Sequence, residues 1–305
     1  MLPAVALPHR SPEPLSFQGE HLRRLTALAR IALEIRRLSL VGIYHAGSGH
    51  PGGSLSCADI LAALYGAELA ISPAEPQDEG RDRFVLSKGH AAPALYAAWA
   101  AVGLLDPAQV KSLRKLGSPM QGHPHVLDAP LAETSTGSLG QGFSAAIGMA
   151  IGLRHRHIPA RVYTLLGDGE LQEGEVWEGA MCAAHYRLSN LCALIDYNKL
   201  QSDDLNANIM GLEPLADKWR AFGWHVEELD GHDLGALLDA LRRASEHGKG
   251  PSVLICNTVK GRGVPFMEGK PHWHGSVKIK EDEIFRALAA LGMGEDEIRE
   301  AVHGG

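Results

Sequence analysis

The sequence predicts an α/β fold in which a parallel sheet is covered by helices on both faces. Beyond about residue 137, short apolar segments alternate with segments of helical periodicity. Strands that are short, apolar and joined through helices are typical of a parallel sheet that is buried on both sides. The length of 305 residues agrees, since it suits one large α/β domain or two small ones.

The domain organisation is predicted as a flexible arm followed by one domain. The arm, residues 1–19, contains four prolines and has neither a basic start nor a long apolar core, so we expect no secretory signal there. Residues 20–305 form the domain. Its longest apolar run, 91–105, is shorter than the ~20 residues that cross a bilayer, and it is expected to be a buried helix.

The first half of the domain is expected to be mainly helical. Leucines and small apolar residues recur at helical spacing from about 22 to 42. The segment Ser56–Asp59 is interpreted as a capping box that opens a second helix ending near Gly66. A short strand is expected at 84–86, just before the apolar run.

The second half alternates regularly between strand and helix. Its strands are rich in Val, Ile and Leu, and its helices begin at polar or glycine-containing turns. The predicted strands are 161–166, 191–196, 224–229 and 252–256, and the predicted helices are 143–153, 174–187, 214–222, 233–247 and 281–291, the last helix of the chain.

Charge and cysteine content exclude several classes of protein. Lys and Arg number 29 and Asp and Glu 36, a net charge of −7, which argues against nucleic acid or an anionic membrane as partner. The four cysteines are far apart and contain no CxxC pair, so they predict neither a disulfide framework nor a zinc site. We therefore expect a cytoplasmic protein with reduced thiols.

The sequence Gly167-Asp168-Gly169 directly follows one predicted strand, and Asn198 follows the next. Because parallel strands end at the same edge of a sheet, Asp168 and Asn198 are expected to converge there. One carboxylate and one amide are too few to hold Mg²⁺ or Ca²⁺ alone, but they suit a cation whose other ligands are phosphate oxygens and water. The alternative is that the glycines only make a strand-to-helix turn; the presence of Asn198 favours a site.

Histidines recur in glycine-rich loops. His50, His90 and His123 each follow a glycine, and a fourth loop spans 271–275. The chain has neither HxxxH nor HExxH, so these loops do not predict a zinc cluster. The segment 134–142, rich in glycine and hydroxyl residues before an apolar helix, fits an anion or cofactor contact or a simple helix cap.

Together these motifs resemble those of transketolases, specifically their N-terminal half, over roughly residues 22 to 290. The matching stretches are SGHPGGS (48–54), RDRFVLSKGHAAPALYA (81–97), GHP (122–124), TSTGSLGQGFSAAIGMAIG (134–152), GDGELQEGEVWEGA (167–180), DYNKLQ (196–201), WRAFGWHVEELDGHD (219–233) and KGRGVPFME (260–268). The resemblance implies the thiamine-diphosphate-binding fold, as its diphosphate domain.

The resemblance also implies site residues. The divalent cation, Mg²⁺ or Ca²⁺, is expected at Asp168, Asn198 and the backbone carbonyl of Leu200. The residues expected to bind thiamine diphosphate are His90, Gly137, Leu139, Gly169, Glu173 and Asn198.

The expected catalytic residues lie on the sugar side and in an acidic relay. His50 and His123 would bind hydroxyl groups and move protons, a role that suits imidazole. Glu173 would belong to a buried relay that joins two active sites across a dimer, with Glu178 assisting. A further histidine near the diphosphate is assigned to His272, with His274 left open as the alternative.

The chain carries no segment that matches the pyrimidine-binding domain of the same enzymes. The resemblance is therefore to the separate N-terminal subunit of a split transketolase, which would join a partner subunit in a heterotetramer and act on a sugar or sugar phosphate. One alternative is the α-subunit of a 2-oxo acid decarboxylating dehydrogenase, which has no need of His50 and His123. The other is a non-catalytic cofactor-binding subunit, against which the presence of Asp168, Asn198 and His90 argues.

Overall fold

The computed structural model describes residues 17–129, 131–202 and 204–304. The predicted arm therefore lies outside the described residues, apart from its last three, which begin the first helix. The α-helices are α1 (Phe17–Ala46), α2 (Pro51–Ser56), α3 (Ala58–Ala63), α4 (Ala92–Ala101), α5 (Gln141–His155), α6 (Gly174–His185), α7 (Asn206–Ile209), α8 (Leu215–Ala221), α9 (Leu234–Glu246), α10 (Glu281–Ala290) and α11 (Glu295–His303). The strands are β1 (Arg83–Leu86), β2 (Val162–Gly167), β3 (Leu191–Tyr197), β4 (Leu200–Gln201), β5 (Asp204–Leu205), β6 (His225–Asp230) and β7 (Ser252–Asn257).

Five strands form one parallel sheet in the order β1-β2-β3-β7-β6. The central pair β2 and β3 ends in register, with Gly167 opposite Asp196. Asp168 and Asn198 therefore leave the sheet at the same edge, as the sequence predicts. The short antiparallel pair β4–β5 follows at once and carries Leu200.

Each face of the sheet has its own hydrophobic core. In β3, Cys192 and Leu194 belong to one core, and Ala193 and Ile195 belong to the other. Successive side chains of a strand point to opposite faces, so apolar residues at every position require cover on both sides. Helices α1, α3, α4, α9 and α10 supply buried residues to the first core, and α5, α6 and α8 to the second. The predicted fold class is confirmed.

The predicted capping box at Ser56–Asp59 is wrong. Ser56 Oγ instead donates its hydrogen bond to Asp196 Oδ2 at 2.6 Å and lies 3.2 Å from Gly53 O. Asp59 is drawn into a buried ion pair with Arg36. The helix is interrupted at Cys57, which separates α2 from α3 and caps α3 without a side-chain hydrogen bond.

The ends of the chain contain more helix than the sequence predicts. Helix α1 begins at Phe17, five residues before the expected start, and continues to Ala46. The helix at 281–291 is not the last, because α11 follows it and buries Ile298 and Val302. No helix in the described part of the chain is long and apolar enough to cross a membrane.

Candidate active site

A cavity of about 220 Å³ lies at the carboxyl edge of the sheet. It is formed where the loops after β1, β2, β3 and β7 meet the loop before α2. Ligands of open parallel sheets bind at this edge. The lining residues are His50, Gly53, Lys88, His90, Gly137, Leu139, Gly167, Asp168, Gly169, Glu170, Asn198, Leu200, Gln201, Ser202, Lys260 and His274.

The three expected metal ligands converge in this cavity. The buried Asp168 carboxylate accepts hydrogen bonds from the backbone nitrogens of Gly169, at 2.8 Å, and of Lys199. Asn198 Oδ1 accepts one from Leu200 N at 3.2 Å, so the amide and the carbonyl of the expected set are held on one tight turn. Among the described residues, no group of three or more His, Cys, Asp or Glu side chains could hold a metal by itself.

Lys260 occupies the place next to these ligands, and its role was not predicted from the sequence. Its Nζ donates a hydrogen bond to the carbonyl of Leu200 at 2.6 Å and lies 2.6 Å from His274 Nδ1. Burial lowers the pKa of Lys260 to about 8. The only sequence signal is its position at the start of the stretch KGRGVPFME.

The cavity fits a divalent cation bound to a diphosphate. Burial, and next the nearby Asp196 carboxylate, raise the pKa of Asp168 to about 6, and the charge of Lys260 and two backbone hydrogen bonds offset this only in part. The Leu200 carbonyl already attracts an ammonium group. Gly53 leaves room for a ligand, since a Cβ there would stand 3.6 Å from His90 Nε2 and 3.7 Å from Lys88 Nζ. Oxygen ligands beside the Lys260 ammonium suit Mg²⁺ and phosphate oxygens together.

Three histidines form a cluster at the cavity mouth. The ring centroids of His50, His90 and His274 lie 5.3 to 6.2 Å apart. Burial is the main cause that lowers the pKa of His50 to about 4 and that of His274 to about 3, and it places the pKa of His90 well below the usual value. The imidazoles are therefore neutral at pH 7, each with one donor and one acceptor nitrogen.

The remaining expected site residues lie outside the cavity lining. His123 is exposed at the rim, where a Cβ built on Gly137 would lie 3.1 Å from its Cδ2. His272 packs edge-on against Trp273 and, with His50 and His274, lines a neighbouring cavity of about 940 Å³. Of the two histidines, only His274 also lines the 220 Å³ cavity. Glu173 is exposed at the start of α6 in this single chain, as is Glu178 within that helix.

A network of buried polar side chains supports the cavity from below. Lys88 Nζ donates to Gly53 O at 3.0 Å and to Asp196 Oδ2 at 2.5 Å. Asp196 also accepts from Ser56, Thr258 and Asn198. In the sequence, Lys88 and Asp196 stand out only as members of longer motifs, because no spacing rule pairs residues 108 positions apart.

Fold and cavity define a class of protein: an α/β domain whose sheet edge carries a carboxylate, an amide and the Lys260 ammonium, a set that can bind a diphosphate through a metal ion. The family model described as "Transketolase, thiamine diphosphate binding domain" matches residues 28–303. The chain belongs to this transketolase family.

The chain matches two similar subunits over most of their length and a third, longer protein over less than half of its length. It is 46% identical over 257 residues to the 6-deoxy-6-sulfo-D-fructose transketolase subunit SqwG of Clostridium sp. (strain MSTE9), covering 84% of this chain and 93% of that subunit. It is 40% identical to one subunit of the apulose-4-phosphate transketolase of Phocaeicola vulgatus, covering 78% and 85%. Human transketolase is 41% identical, but the match covers only 41% of that longer protein.

Solved transketolases share the fold. The structure from Campylobacter jejuni has a TM-score of 0.82 at 30% identity, covering 92% of this chain and 46% of that one. The Pichia stipitis enzyme, in a structure described as a complex with xylulose 5-phosphate, has a TM-score of 0.84 at 29% identity, covering 91% and 44%. The prediction of a thiamine-diphosphate-dependent transferase that corresponds to the N-terminal subunit of a split transketolase is confirmed.

Proposed function

We propose that this chain binds thiamine diphosphate with Mg²⁺ in the cavity described above. We further propose that, together with a partner subunit, it transfers a two-carbon ketol unit from a ketose to an aldose. The observation that carries the proposal is the convergence of Asp168, Asn198 and the Leu200 carbonyl beside Lys260. The names of two similar subunits, which specify a sulfo-sugar and a sugar phosphate, support a substrate with an anionic end.

The cation and the diphosphate are proposed to use different groups of this chain. Asp168, Asn198 and the Leu200 carbonyl would hold Mg²⁺, which prefers oxygen ligands. Lys260 would then release the Leu200 carbonyl and face the phosphate oxygens, where His90 can donate one hydrogen bond as a neutral imidazole. Gly137, Leu139 and Gly169 line the cavity and leave space for the cofactor.

The sugar side is proposed to rest on histidines. Bound thiamine diphosphate supplies a carbon that accepts and releases the two-carbon unit. His50 and His123 would bind the sugar hydroxyls and exchange protons with them, a task for which neutral imidazoles carry both a donor and an acceptor. His274, which lies beside Lys260, would face the diphosphate. His272, which lies outside the cavity lining, is not assigned this role.

The partner is proposed to be a C-terminal transketolase subunit with the pyrimidine-binding domain, in a heterotetramer. Support comes from α5 and α6, which expose Ile151 and Met181, and from Tyr186, which is exposed just after α6. Glu173, at the start of α6, and Glu178, within it, are also exposed. Both would become buried if two copies of this chain met at α6 in the heterotetramer, as the acidic relay requires. A reducing, cytoplasmic location is supported by the free cysteines.

The test compares Asp168→Ala with the exposed control Asp217→Ala, which removes a surface carboxylate paired with Arg220. Binding of thiamine diphosphate to the purified chain is measured by calorimetry with Mg²⁺ and again with EDTA. We expect Asp168→Ala to weaken binding at least about 100-fold and to abolish its Mg²⁺ dependence, whereas the control is unchanged. Equal affinity in wild type and Asp168→Ala would refute the metal assignment.

A second experiment tests the reaction. The chain is assayed for ketol transfer alone and with a candidate partner subunit, with 2-oxo acids as the competing substrate class. We expect transfer only in the complex and no turnover of 2-oxo acids. Full activity of the isolated chain would contradict the need for a partner.

A further inference from the structure

Arg114 contacts both the loop that carries His50 and the loop that carries His123, and no role described above uses it. Its Nη1 donates a hydrogen bond to Ser48 Oγ at 2.7 Å, two residues before His50. The same guanidinium lies against the backbone of Gly122, the residue before His123, since a Cβ there would stand 2.7 Å from Arg114 Nε. One side chain therefore contacts each of the two loops just before its histidine.

The backbone at Arg114 is held in a conformation that needs support. Its φ of 59° lies in the left-handed region, which costs an L-residue other than glycine about 1–2 kcal/mol. The Arg114 amide donates to Met120 O at 2.8 Å, which closes the turn between them. Such strain persists only where surrounding contacts maintain it.

Arg114 also brings a positive charge to both imidazoles. After burial, Arg114 is the largest cause of the lowered pKa of His50 and of His123. The other titratable groups that face His50 are His123 and Lys260, together with His90 and His274, whose rings lie 5.3 and 6.2 Å from its own. Arg114 makes no ion pair with any residue that the structure describes, so its charge acts on the histidines without a carboxylate to offset it.

We propose that Arg114 is a positioning residue that clamps the His50 loop to the His123 loop and presents one uncompensated positive charge to both imidazoles. Its purpose in sugar chemistry rests on the proposed function. The clamp itself is a property of this chain and can be measured without cofactor or partner.

The experiment compares Arg114→Gln and Arg114→Lys with Lys115→Gln, a neighbouring control whose ammonium bonds to the His45 carbonyl instead. Histidine Cε1 signals of the full chain are titrated by NMR, and hydrogen exchange is followed in both loops. In Arg114→Gln the titration midpoints of His50 and His123 should both rise by roughly half a pH unit, since a partly solvated cation is lost.

Arg114→Lys separates the charge from the clamp. Lysine keeps the charge but lacks the planar fork, so the midpoints should stay near those of wild type while exchange in both loops rises about 10-fold. Ser48→Ala, which removes only the acceptor, should raise exchange in the same way if Arg114→Gln does not fold. The control should change neither measurement.

Two results would overturn the proposal: unchanged midpoints in Arg114→Gln, or a change confined to one of the two histidines. Thiamine diphosphate affinity is measured alongside and should change less than about 2-fold, because Arg114 lies outside the cavity lining. A chain that fails to bind thiamine diphosphate would refute the proposed function while leaving the titration result readable.

Discussion

Replacing Lys88 by methionine would leave a bare carboxylate in the interior of the protein. The side chains of Lys88 and Asp196 are 1% and 0% exposed, and their Nζ and Oδ2 atoms lie 2.5 Å apart. Burial alone would raise the pKa of Asp196, but the Lys88 ammonium and hydrogen bonds keep it below its usual value. Asp196 is therefore ionised at pH 7, and methionine would fill the volume of Lys88 without its charge.

The expected cost follows from burial. Removing one partner of a fully buried ion pair destabilises a protein by about 3–5 kcal/mol, because the other charge remains buried. The matched control is Arg242→Met, which breaks a pair with Glu246 whose side chains are 58% and 62% exposed. Exposed pairs of this spacing contribute only about 0.3–0.5 kcal/mol.

The double variant Lys88→Met/Asp196→Asn removes both charges and should recover about 2 kcal/mol of the loss, since no ion is then left buried. The free energy of unfolding is measured by urea titration for each variant at pH 7. The reasoning fails if Lys88→Met costs less than about 1 kcal/mol, or if the double variant is no more stable than the sum of the single changes predicts.

Three further predictions concern the same edge of the sheet. A Cβ on Gly142 would lie 2.7 Å from the backbone just after β1, whereas one on Gly148 in the same helix meets nothing within 4 Å. In urea unfolding, Gly142→Ala should therefore destabilise the chain. Gly148→Ala should stabilise it by about 0.5–1 kcal/mol. Because burial raises the pKa of Asp168 to about 6, its stability contribution is present below pH 4 and is lost as pH rises through 6. Metal-free wild type should lose up to about 3 kcal/mol relative to Asp168→Asn between pH 4 and 8, and parallel pH curves would contradict this. His274→Gln should weaken thiamine diphosphate binding about 10-fold while His272→Gln leaves it unchanged; equal effects in calorimetry would remove the distinction between them.

The fold could be predicted because its signal is local. The buried strands β2, β3 and β7 are short apolar runs, whereas the edge strand β6 is partly exposed. All four begin and end within one residue of their predicted limits. The failure at Ser56–Asp59 has a long-range cause. The Ser56–Asp59 segment has the residues of a capping box, but long-range partners, Asp196 and Arg36, compete for both side chains.

The site could be predicted only where topology dictates position. Asp168 and Asn198 end neighbouring parallel strands, so their convergence follows from the order of elements alone. Lys260 reaches the Leu200 carbonyl from a loop 60 residues away, which no pattern in the chain indicates. Likewise, the sequence does not indicate which of His272 and His274 lines the 220 Å³ cavity, since both belong to one short 3-10 turn at 271–274.

The charges of the cavity explain why it suits a metal diphosphate rather than either ion alone. Beneath it, Lys88 and Asp196 neutralise each other at contact distance. At its wall, Asp168 and Lys260 form no such contact: burial raises the pKa of the first and lowers the pKa of the second, so each group is disfavoured in its charged form. A cation at Asp168 and an anion at Lys260 would relieve both penalties together. Asp168 and Lys260 each favour the other's charged form, but not enough to offset burial. A ligand that carries Mg²⁺ and phosphate oxygens side by side would favour both charged groups, whereas either ion alone would favour only one.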